Sequence, residues 1–174
     1  MESERLIFRI MYDEDKDDFY EIFSSEKVGA FIKPMTRQQV ENYFEKRKSK
    51  PVNPYSFAVV LKETGKMIGT IGLKEKEPKI GTLSYVFNDK FWNNGYCSES
   101  IKFILENAKK WGFKEILADC EETNIKSQHL LEKFNFKFTK TNEEEILNYK
   151  TGKPTTFYYY SLPLIKNCLK NNTK

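Results

Sequence analysis

Histidine is almost missing from this chain: His129 is the only one among 174 residues. That excludes any site needing two imidazole ligands and leaves at most one ring base for a Ser or Cys nucleophile. No G-x-S-x-G segment accompanies it, so a hydrolase triad lacks its usual surroundings. Cysteine is nearly as scarce, and Cys97, Cys120 and Cys168 are odd in number without C-x-x-C spacing. Neither a disulfide framework nor a zinc knuckle is indicated, and no metal site is expected. No apolar run approaches the roughly 18 residues of a membrane-spanning helix. The opening MESERLIFRI carries acids where a secretory leader would be basic, so the expected location is cytoplasmic, with no membrane partner.

Excess charge is also largely absent. The formal net charge is +4, but residues 165–174 hold three lysines and no acid, which leaves the remainder nearly balanced. With no Lys/Arg stripe, finger or base-stacking motif, nucleic acid is not an expected partner. Repeats, low-complexity tracts and Pro/Gly/Ser linkers are lacking too, so residues 1–174 read as one domain with a basic tail at 165–174.

What is present is apolar material for a core: 39% hydrophobic residues, with aromatics at 15%. Leu6–Arg9 is a strand signal, and acids at 13–15 then precede a helical pattern through Phe19, Ile22 and Phe23. Thr36 with Gln39 three residues later resembles a capping box opening a helix that ends before Pro51. Tyr55–Leu61 and Met67–Leu73 are strand-like runs around a hairpin at 63–66, and Thr82–Phe87 is a further strand. Cys97, Ile101, Ile104, Leu105 and Ala108 form one apolar helical stripe, with Gly112 placed for a left-handed stop. A strand at Glu115–Cys120, a helix at Asn124–Lys133, a strand from Phe136 and a strand at Phe157–Leu162 complete the order. The fold class is α/β: a mixed sheet of about seven strands flanked by about four helices.

Two segments carry candidate chemistry. Trp92-Asn93-Asn94-Gly95-Tyr96-Cys97-Ser98-Glu99 leaves a strand and enters the strongest helix. Such a loop can turn successive N–H groups toward one point beside the positive end of the helix, which suits a phosphate, although an ordinary capped turn has the same letters. The second segment, Asn124 to Phe136, places the Ser127 hydroxyl on the same helical stripe as Leu130, Leu131 and Phe134, where it needs a partner. Asn135 sits where that helix must stop and can adopt left-handed dihedrals.

With these motifs in view, the chain resembles the GNAT superfamily of N-acetyltransferases over roughly residues 4–162. Within it, the chain is similar to the branch of ribosomal-protein N-terminal acetyltransferases (RimJ/RimL-like). The superfamily's acetyl-CoA motif, Arg/Gln-x-x-Gly-x-Gly/Ala, stands here as Trp92 to Cys97, with Cys97 in the small-residue place. The later motif, Asn-x-x-Ser-x-x-x-Leu-x-x-x-Gly-Phe, stands as Asn124, Ser127, Leu131, Asn135 and Phe136, with Asn135 for glycine. Glu4–Arg9 and Tyr160-Ser161-Leu162 also look like this branch.

The resemblance implies a twisted, partly parallel sheet whose fourth and fifth strands diverge around the pantetheine arm of acetyl-CoA, with no metal. Val86 and Phe87 would lie nearest the thioester, the amides of Asn94, Gly95, Tyr96, Cys97 and Ser98 would surround the pyrophosphate, and Asn124 would bond the donor from the other side. A neutral amine would attack directly, a fourth-strand N–H would hold the oxyanion, and Ser127 would supply a proton or hydrogen bond to the departing thiolate. Tyr96 and Tyr158 are alternative donors. An α-amine titrates at ~8 and a lysine amine at ~10.4, so an N-terminal acceptor needs the weaker base. Glu143, Glu144 and Glu145 could attract a cationic amine or form a solvated turn, and residues 31–48 are expected to wall the acceptor side. A polyamine or antibiotic acceptor, and a non-catalytic acyl-CoA-binding domain, stay open as alternatives. Tyr158–Tyr160 could mark a homodimer edge.

Overall fold

The protein is described by a computed structural model covering residues 1–142 and 145–164. Glu143, Glu144, Cys168 and the basic segment 165–174 lie outside the described residues.

Seven strands form one sheet. In chain order they are β1 (Leu6–Arg9), β2 (Ser56–Leu61), β3 (Met67–Glu77), β4 (Ile80–Phe87), β5 (Glu115–Glu121), β6 (Lys137–Thr141) and, after the two-residue strands β7 (Ile146–Leu147) and β8 (Pro154–Thr155), β9 (Phe157–Pro163). The spatial order is β1-β2-β3-β4-β5-β9-β6, and β7 with β8 makes a separate ribbon. All neighbours are antiparallel except β4 and β5. The four α-helices are α1 (Lys16–Ser24), α2 (Arg37–Lys48), α3 (Tyr96–Ala108) and α4 (Ile125–Lys133).

The boundaries follow local chemistry. Thr36 caps α2: its hydroxyl accepts the Gln39 N–H at 3.3 Å while Gln39 Oε1 accepts the Thr36 N–H at 2.8 Å. After α3, Gly112 takes φ +91° and lets the Phe113 N–H return to Ala108 O at 3.0 Å. Asn135 ends α4 at φ +64°. One strand runs longer than its apolar pattern predicts: β3 continues past Leu73 through Lys74-Glu75-Lys76-Glu77, exposed on both faces. Pairing with β4, not burial, holds that extension.

Helices cover both faces of the sheet. On one, Phe8, Phe57, Leu83 and Ile116 pack with Ile101, Phe103 and Ile104 of α3 and Leu131 of α4. On the other, Phe19 and Ile22 of α1 and Val40 and Phe44 of α2 pack on Ala58, Val60 and Met67. α1 is also tied down by charge, since Lys66 Nζ donates to Asp18 at 2.6 Å and to Glu21 at 2.8 Å.

The parallel pair positions the site. β4 and β5 share the register Ile80↔Glu115, Gly81↔Ile116 and Thr82↔Leu117, and pairing stops there. β4 runs on to Phe87 and β5 to Glu121 without pairing again. β9 lies between β5 and β6, so its tyrosines do not form a sheet edge; the edges are β1 and β6. This corrects the expectation of a dimer edge at Tyr158–Tyr160.

Candidate active site in the opening between β4 and β5

A cavity of about 660 Å³ opens where the two strands separate. Its walls come from the end of β4, the loop into α3, the first turn of α3, α4 from Ile125 to Lys133, and the segment between α1 and α2. Every donor-side residue expected from the sequence lines it or flanks its lining: Val86, Phe87, Gly95, Tyr96, Cys97, Ser98, Asn124 and Ser127 are in the wall, and Asn94 sits in the turn between Asn93 and Gly95, which are also in the wall.

The loop is built for close approach. Asn93 and Gly95 adopt φ +65° and +80°, so the chain turns sharply before α3. The first bond inside the helix runs from the Glu99 N–H to Gly95 O at 2.9 Å. The N–H groups of Tyr96, Cys97 and Ser98 therefore have no intrahelical acceptor, and they stand at the positive end of a 13-residue helix. The loop is braced by Trp92, whose indole N–H donates to Phe87 O at 2.9 Å and whose ring lies 5.2 Å from Lys126 Nζ. Asn94 folds its side-chain amide back onto the carbonyls of Phe91 and Trp92, at 3.3 and 3.1 Å.

On β4, the ladder decides which main-chain groups reach the opening. The Asn88 N–H bonds to Ile68 O on β3 at 2.9 Å. Alternation in an antiparallel pair then turns the main-chain groups of Val86 toward β3 and those of Tyr85 and Phe87 toward the opening.

Ser127 finds its partner across that opening. Its Oγ lies 2.6 Å from the Tyr85 hydroxyl, rather than returning to a carbonyl of its own helix. Tyr85 lines the cavity, and burial above all drives its hydroxyl well above the usual tyrosine range, so it stays protonated. Burial likewise raises the Cys97 thiol and pushes Cys120 up to about 11, the latter opposed by a hydrogen bond with Ser127. Tyr85 was missed in the sequence because a tyrosine in an alternating strand looks like ordinary core. The signal that could have marked it is its place two residues before Phe87, on the face that meets α4.

Asn124 caps α4, with Oδ1 accepting the Ser127 N–H at 3.2 Å. Its amide N–H₂ has no protein acceptor among the described residues. His129 is exposed and borders the cavity; two positions from Ser127, it sits on a different face of α4. Tyr158 is outside the lining and packs against Phe138 at 5.6 Å. Of the expected acceptor wall at 31–48, only Phe31 and Ile32 reach the cavity, joined by Val28. α2 instead borders a separate surface depression through Tyr43, Lys46 and Arg47. Glu145 is exposed.

The residues fit a CoA thioester: an opening between two strands for a slender arm, and a turn with unpaired N–H groups at a helix start for its diphosphate. Among the described residues no cluster of His, Cys, Asp or Glu could hold a metal ion, and no helix is long and apolar enough to cross a membrane.

Comparison with known proteins agrees with this geometry. The acetyltransferase (GNAT) domain family matches residues 5–137. The chain is 29% identical over 143 residues to the "uncharacterized N-acetyltransferase YnaD" of Bacillus subtilis (strain 168), covering 78% of this chain and 81% of that protein. It superposes on the GNAT-family acetyltransferase from Bacillus anthracis with TM-score 0.81 at 23% identity, covering 94% of this chain and 97% of that one. It superposes on the spermidine N-acetyltransferase from Vibrio cholerae, solved with CoA and spermine, with TM-score 0.76 at 15% identity, covering 92% and 96%. The chain therefore belongs to the GNAT family and is an acetyl-CoA-dependent N-acetyltransferase.

Proposed function

We propose that this enzyme acetylates a primary amine of low basicity, best represented by a peptide N-terminal α-amine, by direct attack on the bound thioester. The observation that carries the acceptor class is the makeup of the cavity: the segment between α1 and α2 contributes only the apolar Val28, Phe31 and Ile32, and no Asp or Glu lines the cavity among the described residues. A polycation such as a polyamine needs carboxylates to replace its hydration, and a lysine-like amine needs a strong base to become neutral. An α-amine, with a pKa of ~8, is partly neutral already and can lose its proton through water. The two acids at the end of β5 lie outside the cavity lining. Glu121 accepts from Asn148 Nδ2 at 2.8 Å and Thr155 Oγ1 at 2.7 Å, which ties down the β7–β8 ribbon. Asp119 is exposed, although partial burial holds its carboxyl above the usual range.

On this reading the thioester supplies the acetyl group when bound, and the chain does the rest. Asn94 to Ser98 present N–H groups to the pyrophosphate, with Asn124 on the opposite wall. The Phe87 N–H, turned into the opening, stabilises the developing oxyanion, and Val86 contributes its side chain to the wall. Ser127, bonded to a Tyr85 that stays protonated, donates to the sulfur as it leaves. A panel of acceptors tests the assignment by thiol release: free α-amine peptides are turned over, while the same peptides blocked at the N-terminus but carrying internal lysine are not. Turnover of spermidine alone would assign the enzyme to small-molecule acetylation instead.

A further inference from the structure

The donor loop is fastened from outside the cavity by one residue of the N-terminal strand region. Arg5 Nη1 donates to Asn94 O at 3.0 Å, and its Nε and Nη2 both reach Glu99 Oε2 at 2.8 Å. The Arg5 backbone N–H and the Ser3 hydroxyl bond the other oxygen of Glu99, at 2.9 and 2.7 Å, and the guanidinium lies 4.5 Å over the Tyr96 ring. Arg5 is not part of the cavity wall.

Two consequences follow. The Asn94–Gly95 peptide is trans, so its C=O and N–H point in opposite directions. A carbonyl held by Arg5 outside the cavity therefore sends the Gly95 N–H the other way, to the side where Gly95 lines the cavity. The second consequence concerns charge. Glu99 stands in the first turn of α3, where an unpaired carboxylate would oppose any anion at the helix start. Burial works most strongly against its ionisation, but the Arg5 N–H, the Ser3 hydroxyl and the Arg5 side chain together outweigh burial, and Glu99 titrates below its ordinary range. It is thus a charged acid beside the proposed anion site, and Arg5 is its counter-ion.

We propose that Arg5 is a positioning residue for the pyrophosphate of the donor, acting through the Asn94 carbonyl and through Glu99 without touching the substrate. The inference rests on the donor site proposed above. Its test is calorimetric titration of CoA into wild type, Arg5→Met, Glu99→Gln and the double variant, with kcat/KM measured in parallel for S-acetylpantetheine, which lacks the pyrophosphate. Arg5→Met is expected to raise the CoA Kd roughly tenfold or more, as loss of a charge-assisted hydrogen-bonded pair at a helix start implies, while changing kcat/KM for S-acetylpantetheine less than twofold. Adding Glu99→Gln to Arg5→Met should recover a large part of the CoA affinity, because it removes the stranded charge. A CoA Kd unchanged by Arg5→Met overturns the proposal, as does an equal loss with both donors. A double variant no better than Arg5→Met overturns it too, and would put Arg5 on the phosphate itself or only in packing. Wild type that binds no CoA while folded overturns the donor site as a whole, a result distinguishable from the others.

Discussion

At the scale of single residues, the proposed chemistry rests on the Tyr85–Ser127 pair. Two hydroxyls 2.6 Å apart meet in the wall of the opening that the backbone leaves unpaired. Ser127→Ala is expected to lower kcat about 10²-fold, the lower end of a general acid's worth, with the acetyl-CoA Kd changed less than threefold; unchanged kcat would remove Ser127 from the proton path. Because Tyr85 stays protonated through the neutral range, it adds no titration to the rate profile. kcat/KM for an α-amine peptide should rise with pH and level off near the amine's own pKa of ~8. Asp119→Asn should leave that turnover within threefold, and a far larger loss would make Asp119 the base. That the Ser127 hydroxyl needs a partner was legible in the sequence, because its spacing put it on an apolar stripe; its role toward the thiolate came only from the resemblance. Tyr85 was not, because its role depends on α4 packing over β4, a relation between segments some forty residues apart that no local pattern records.

At the scale of elements, sequence and structure agree where a boundary has its own chemistry. The Thr36–Gln39 box, Gly112 and Asn135 mark helix ends that local residues enforce. Asn124→Ala should cost about 1 kcal/mol of stability by removing the α4 cap, measurable by denaturant unfolding. The docking of α1 was less legible, since its charged partners are remote. Lys66 and Lys90 push the Glu21 carboxyl down to about 2 from an ordinary value of 4.5, against an opposing effect of burial. A carboxyl depressed in the folded state stabilises above its unfolded pKa and loses that contribution as pH falls through the folded value. Glu21→Gln should therefore destabilise by about 1 kcal/mol at pH 7, discounted for solvent screening. The gap from wild type should close between pH 4.5 and 2. A gap independent of pH would show that Glu21 acts by packing.

At the scale of the whole molecule, a seven-stranded sheet keeps one parallel pair, and that pair comes apart after three residue positions. The strand count and the helix count could be read from hydrophobic period, but the separation of β4 from β5 could not, because both strands carry unbroken strand-like patterns beyond Thr82 and Leu117. The resemblance in the Trp92–Cys97 and Asn124–Phe136 motifs supplied that expectation. Likewise, β9 looked like a terminal edge because it comes late in the chain, yet β6 lies outside it.

On the proposed reading, the opening and the α3 start together hold the acetyl donor. Gly95→Asp is a poor probe of it, since a Cβ there would stand 3.5 Å from Arg5 Nη2 and draw the new carboxylate toward that guanidinium. Ser98→Asp is better: an acid in the first turn suits the helix and preserves folding, yet places negative charge where the pyrophosphate should sit. Calorimetric titration of acetyl-CoA into wild type and Ser98→Asp is the most direct measurement. Saturable single-site binding to wild type, lost in a variant whose melting temperature is not lowered, is the predicted result. Equal affinity in both proteins would contradict the placement of the donor, and no binding to folded wild type would contradict the donor chemistry itself.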